Sequence, residues 1–288
     1  MCASPMLYRS LLLRSSRLFG EPLSSMVRSE AEALAAALGF HIASGDVLQY
    51  KEDYKPVTLT CGLIMVPHGK TPSNKDHIFQ DHSDSHLSQL LPEGVKMAKD
   101  GAEKCVATYA EAMRKSPSQW VFYRSPLNRT AATAEPYISC FRAAGVDFPE
   151  PIVDPAVIEL THGTWAGVSL AGLKQSERTS EVGVAEAYRA GSFLAKATDG
   201  SGESKLDVLA RAAEWLKQLE REHGGQQRNI MVFGHGTFQN CVELLLRCYP
   251  EKTVAELFDR NPTGSSHLRR GEVHVLAPIF PPHGQSHL

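Results

Sequence analysis

The sequence predicts an α/β fold, a mainly parallel sheet flanked by helices on both faces. Short apolar runs of strand length recur along the chain without polar alternation, as in strands buried on both sides. Longer segments with helical periodicity separate them, and such alternation favours parallel strands joined by helical crossovers. Two of the runs end in a histidine-glycine pair: Leu63-Ile64-Met65-Val66-Pro67-His68-Gly69 and Ile230-Met231-Val232-Phe233-Gly234-His235-Gly236. Open α/β sheets keep their ligands at the carboxyl ends of the strands. The same dipeptide recurs at His162-Gly163, His223-Gly224 and His283-Gly284, so only the two that follow strands are informative.

In chain order, residues 29–41, rich in Ala and Leu, read as a helix. Residues 57–66 are apolar and β-branched, a central strand stopped at Pro67. A polar loop spans residues 70–85. Residues 90–115 are helical, with Val95, Ala98, Ala102, Val106 and Tyr109 at helical spacing and Pro117 as the stop. Residues 120–123 form a second strand and residues 128–143 a second helix, kinked at Pro136. Residues 151–158 read as a third strand ending at Glu159. Residues 162–203, with many Gly, Ser and charged positions, read as a lid-like insertion.

Ser204 then caps a helix with Asp207 as its capping-box partner. Leu206, Leu209, Ala213, Leu216 and Leu219 are its apolar stripe, and Gly224-Gly225 ends it. Residues 230–233 are the fourth strand, 238–248 a helix and 273–276 the last strand. The chain thus divides into an N-terminal leader and helix, residues 1–50, and a main α/β domain, residues 51–288, that carries the insertion at 162–203.

Bulk properties narrow the function. The chain has 288 residues, 42% hydrophobic and 22% charged, enough for a sizeable core. A formal net charge of −2 supplies no basic field for nucleic acid. No apolar stretch approaches the roughly 18–20 residues that span a bilayer. Six cysteines without a CxxC pair point to reduced thiols in an intracellular compartment, with Cys241 and Cys248 packing on a helix. The first 20 residues carry Arg9, Arg14 and Arg17 and no acid. On a helical wheel Leu7, Tyr8, Leu11, Leu18 and Phe19 share the arc opposite the arginines. That composition matches a mitochondrial transit segment, with the cytoplasm as the compartment in its absence.

The residues that follow the strands form one chemical set: His68, Gly69, Thr71 and Asn74; Arg124 to Arg129; Glu159, Gly163 and Gly167; His235 and Gly236. They offer an imidazole nucleophile, a guanidinium that binds anions bidentately, a carboxyl proton donor and a second imidazole. Phosphoryl transfer needs those functions and, in this scheme, neither metal nor cofactor. His77, His82 and His86, with Asp76, Asp81 and Asp84, have metal-ligating types, but the segment reads as a solvated loop. Trp165 reads as a packing residue.

These motifs resemble the histidine phosphatase superfamily, the phosphoglycerate mutase-like fold, over residues 57–250. The family opens with Arg-His-Gly-Glu/Gln-Thr/Ser-x-x-Asn, and this chain reads Pro67-His68-Gly69-Lys70-Thr71-Pro72-Ser73-Asn74. The family's Ser-x-Leu-x-Arg-Ala-x-x-Thr appears as Ser125-Pro126-Leu127-Asn128-Arg129-Thr130-Ala131-Ala132-Thr133. Glu159 with Gly163 and Gly167, then Gly202-Glu203-Ser204, then His235-Gly236 complete the order. The resemblance implies a phosphatase acting on a phosphorylated small molecule or phosphoprotein. In it His68 is the phosphorylated nucleophile, Arg129 and His235 hold the phosphoryl group with Asn74, and Glu159 is acid and then base. Gly69, Lys70, Thr71 and Gly236 join the phosphate-binding set. A mutase is disfavoured, because the region around the insertion does not match the mutase pattern.

One position departs from the family. Its arginine before the histidine is Pro67 here, which brings neither charge nor N–H. Loss of such a preorganised donor costs about 2–4 kcal/mol of transition-state stabilisation, roughly 30- to 1,000-fold in rate. Lys70 and Arg124 are the candidates to restore the charge. The alternative is a weakened or inactive pseudophosphatase that serves as a binding or scaffold protein.

Overall fold

The computed structural model describes residues 25–80, 82–176, 178–258 and 269–282. The proposed transit segment, residues 1–20, lies outside them. Helix α1 (Ser25–Ala37) is followed by a small antiparallel hairpin, β1 (Phe40–Ile42) and β2 (Leu48–Tyr50). No pattern in the sequence announces this hairpin: its strands have three residues each, too few for alternation to show. Phe40, Tyr50 and Tyr54 pack ring on ring, and the Tyr50 hydroxyl donates to the Leu244 carbonyl. The hairpin is thereby fixed to the body of the molecule.

Strand β3 (Gly62–Pro67) leads into a short helix, α2 (Pro72–Lys75), inside the expected loop, and then into α3 (Pro92–Lys115). Strand β4 (Trp120–Arg124) precedes α4 (Asn128–Ala143), which runs unbroken through Pro136. Strand β5 (Ile152–Val153) comes next, followed by α5 (Leu170–Gln175) and α6 (Thr179–Arg189). The long helix α7 (Lys205–His223) carries the expected capping box between Ser204 and Asp207. Strand β6 (Asn229–Gly234), α8 (Gly236–Leu246), α9 (Val254–Phe258) and β7 (His274–Ala277) complete the order.

The sheet runs β5-β4-β6-β3-β7, parallel except for β7, which lies antiparallel to β3. Successive residues of the central strands point to opposite faces, as the two-residue period of a strand requires. Leu63, Met65, Ile230 and Val232 enter one buried cluster with residues of α7 and α8. Ile64, Val66, Met231 and Phe233 enter the other, with residues of α3 and α4. An all-apolar run is therefore read correctly as a strand covered on both sides.

Two strand expectations need correction. The first strand begins at Gly62 rather than at residue 57, because the Val57 N–H donates instead to the Leu245 carbonyl. The third is two residues at the sheet edge, not eight. Pro155 opens a 3-10 turn capped by the Asp154 side chain, which takes the chain out of the ladder. In residues 162–203, Trp165, Leu173, Ala185, Tyr188 and Phe193 are buried in the same cluster as Leu63 and Ile230. Trp165 packs on Phe79 and Tyr188 and donates through Nε1 to Glu181.

Candidate active site

Strand register brings the two histidines together. Pro67 is the register partner of Gly234, and His68 and His235 each follow by one residue. Neighbouring strands lie about 4.8 Å apart, and the two imidazole centroids are 5.3 Å apart, edge to face. The His68 N–H extends the ladder by donating to the Gly234 carbonyl at 3.0 Å. Both side chains are buried, at 2% and 0% exposure.

Hydrogen bonding decides the state of His68. Its Nδ1 lies 2.8 Å from the Gly69 carbonyl, which only accepts, so Nδ1 carries the proton. The Nε2 lone pair is then the nucleophilic position. Burial holds the His68 imidazole well below the usual histidine range, and the positive charges of Arg270 and Arg129 press it further down. His235 is also held low by burial, then by Arg129 and His68. Both rings are therefore neutral at physiological pH, as a nucleophile requires.

The second motif organises the opposite wall. Ser125 continues β4 by donating its N–H to the Phe233 carbonyl, and its Oγ lies 2.7 Å from His235 Nε2. Arg129 stands in the first turn of α4, 1% exposed, where its charge acts on both imidazoles. Thr133, one turn on, accepts from the Gly69 N–H at 3.0 Å and donates to the Arg129 carbonyl at 2.8 Å. The motif's last residue thus ties the nucleophile loop to the arginine helix.

Glu159 sits at the start of α8. Its Oε2 accepts from Thr237 N–H, and its Oε1 accepts from Phe238 and Leu160 N–H, at 2.9–3.3 Å. The carboxylate meets the positive end of the helix that His235 caps. Its own segment is clamped from both sides. Arg211 donates to the carbonyls of Ala156 and Ile158 and pairs with Glu203, while Glu203 accepts from Thr161 N–H. The Gly-Glu-Ser motif therefore positions Glu159 from a distance. His82 adds a bond from Nε2 to the Glu159 carbonyl at 2.8 Å.

Of the residues expected at the site, His68, Arg129, Glu159 and His235 converge, with Gly236 as the first residue of α8. Gly69 needs correction as a phosphate ligand. Its N–H is committed to Thr133, and a Cβ there would come within 2.4 Å of the Gly94 carbonyl, so it is a close-approach glycine. Lys70 pairs with Glu93 at 3.1 Å, and its side chain is 32% exposed. Thr71 and Asn74 form the capping box of α2, and the Asn74 amide nitrogen is the donor that this cap does not use. Arg124 donates to the Ser125 carbonyl.

Ser125, Thr133 and Glu203 belong to quoted motifs, yet the sequence did not disclose their contacts. Arg270, whose charge acts on the His68 imidazole, lies far along the chain in no motif. Among the described residues no cluster of three or more His, Cys, Asp or Glu is arranged to hold a metal, and Asp84 instead accepts from Asn128 N–H at the start of α4. The described cysteines are free, and no described helix is long and apolar enough to cross a membrane.

The family model described as "Histidine phosphatase superfamily (branch 1)" matches residues 63–272. A mannitol-1-phosphatase from Eimeria tenella is 29% identical over 133 residues, which is 45% of this chain and 40% of that protein. The chain therefore spans well under half of that curated relative. Among solved structures, a mycobacterial glucosyl-3-phosphoglycerate phosphatase in complex with VO3 is 20% identical at a TM-score of 0.50, covering 67% of this chain and 84% of that one. Bacillus stearothermophilus YhfR is 20% identical at 0.51, covering 69% and 84%. These two likenesses speak to the fold.

Proposed function

Because the chain belongs to the histidine phosphatase superfamily, we propose that it is a metal-independent phosphatase that hydrolyses a phosphomonoester through a phosphohistidine on His68. The observation that carries this reading is the His68 Nδ1–H bond to the Gly69 carbonyl, which leaves Nε2 as a neutral nucleophile beside a buried guanidinium. Nε2 attacks phosphorus, the bond from phosphorus to the substrate oxygen breaks, and Glu159, which must enter this step in its protonated form, gives the departing alkoxide its proton. Glu159 then takes a proton from water, whose oxygen attacks the phosphohistidine. Inorganic phosphate leaves and His68 is regenerated. Arg129 offsets charge on the equatorial oxygens throughout. His235 Nδ1 is buried without a hydrogen bond in the protein, as befits a group that a phosphoryl oxygen would satisfy.

A small phosphorylated alcohol fits better than a phosphoprotein side chain, because both imidazoles are almost wholly buried. The Eimeria relative's name points the same way. Pro67 favours a second reading, a domain that binds a phosphorylated ligand without turning it over. Purified protein assayed with an aryl phosphate and with mannitol 1-phosphate, beside His68→Ala, separates the two. The phosphatase reading expects turnover that His68→Ala reduces to the buffer rate. Equal background rates for both proteins would leave only the binding reading.

A further inference from the structure

Pro67 leaves the first motif one guanidinium short. We propose that Arg270, from the carboxyl-terminal segment, supplies that guanidinium and binds the transferred phosphoryl group beside His68. The inference rests on the phosphatase reading above and assigns this chain's second phosphate-binding arginine.

The segment that bears Arg270 is bonded directly to the nucleophile strand. Gly271 N–H donates to the Pro67 carbonyl at 2.7 Å, so Arg270 and His68 each lie one residue from that bond. The Tyr137 hydroxyl donates to the Gly271 carbonyl at 2.7 Å. Gly271 has φ 71°, and a Cβ there would stand 2.8 Å from Ala98 N, so a glycine is needed for this approach to α3. On one side Arg269 shares hydrogen bonds with the His274 ring, and on the other Glu272 pairs with Lys104 at 2.8 Å.

The two adjacent arginines differ. The Arg269 side chain is 75% exposed, whereas Arg270 turns inward and its Nη1 is shielded from solvent. The Arg270 charge weighs on the His68 imidazole more than that of Arg129 does. Of the other candidates for the missing charge, Lys70 pairs with Glu93 and Arg124 donates to the Ser125 carbonyl. A proline before the histidine is thus compatible with two guanidinium groups at the phosphate, one from α4 and one from the carboxyl-terminal segment.

The test compares wild type, Arg270→Ala and Arg270→Lys for kcat/KM on an aryl phosphate across pH and for orthovanadate affinity by calorimetry. Arg270→Ala is expected to lose roughly 30- to 1,000-fold in kcat/KM, in line with a lost preorganised donor, and to bind vanadate more weakly. Arg270→Lys recovers part of the loss, since it restores charge but not the fork. The acidic limb of the Arg270→Ala profile moves to higher pH, because removing a positive neighbour makes His68 easier to protonate. A change in packing alone would not move that limb in this direction. Should Arg270→Ala fail to fold, Arg270→Gln takes its place. Wild-type kcat/KM and vanadate affinity in the neutral variant would overturn the proposal. If wild type is as inactive as His68→Ala, the phosphatase reading fails separately, and vanadate affinity alone then decides the role of Arg270.

Discussion

His68 and His235 leave adjacent parallel strands one residue beyond the register pair Pro67 and Gly234, and their ring centroids stand 5.3 Å apart. A slip of one residue in that register would send one imidazole to the opposite face of the sheet. The apolar residues of β3 and β6, buried on both faces, prevent the slip. Core packing therefore sets the spacing of the two imidazoles.

Glu159 is expected to matter most when the leaving group is poor. Glu159→Gln removes the proton donor and should lower kcat by about 100- to 10,000-fold on an alkyl phosphate, with a much smaller loss on an activated aryl phosphate. Steady-state kinetics on both substrates checks this. Equal losses on the two would argue against an acid role.

Ser125→Ala deletes the partner of His235 Nε2. A buried polar atom left unsatisfied costs about 1–3 kcal/mol, so phosphate inhibition should weaken by roughly 5- to 150-fold. Competitive inhibition by inorganic phosphate measures it. His235→Ala combined with Ser125→Ala should add little to His235→Ala alone.

Lys70→Ala should leave turnover within about twofold of wild type, because a half-exposed pair such as Lys70–Glu93 contributes only about 0–1 kcal/mol. A large loss of kcat/KM would return Lys70 to the phosphate site.

Stability should fall as the medium is acidified. Both site imidazoles are held well below 6.5 in the folded protein. The unfolded chain therefore binds these protons first, and stability is lost as pH drops below about 6.5. The Tm measured between pH 7 and 5.5 should decline, and less steeply in His68→Asn. Activity follows the folded value instead, so kcat/KM should show no His68 limb near pH 6.5.

Where local chemistry decided the structure, the sequence was readable. Helix α4 was placed at its true bounds, and Ser204 and Asp207 marked the start of α7, because caps and helical periodicity act within a few residues. The core of β6 was recognised because residues 230–233 are uniformly apolar. Strand β5 was overdrawn because apolar content alone does not reveal that Pro155 and the Asp154 cap remove the chain from the ladder. At the site, no local pattern shows what Gly69 and Lys70 bond to. Their partners, Thr133 and Glu93, are reached only through tertiary packing. Arg270 is carried toward His68 by the bond from Gly271 to Pro67, a contact between distant parts of the chain that no local pattern announces.

The most direct measurement is rapid acid-free quench of the enzyme with its substrate, followed by mass spectrometry of the peptide that contains His68. A phosphoryl group on His68, formed and lost at rates compatible with kcat, is the predicted result. Turnover with His68 unmodified throughout, or a phosphoryl group on another residue, would contradict the account.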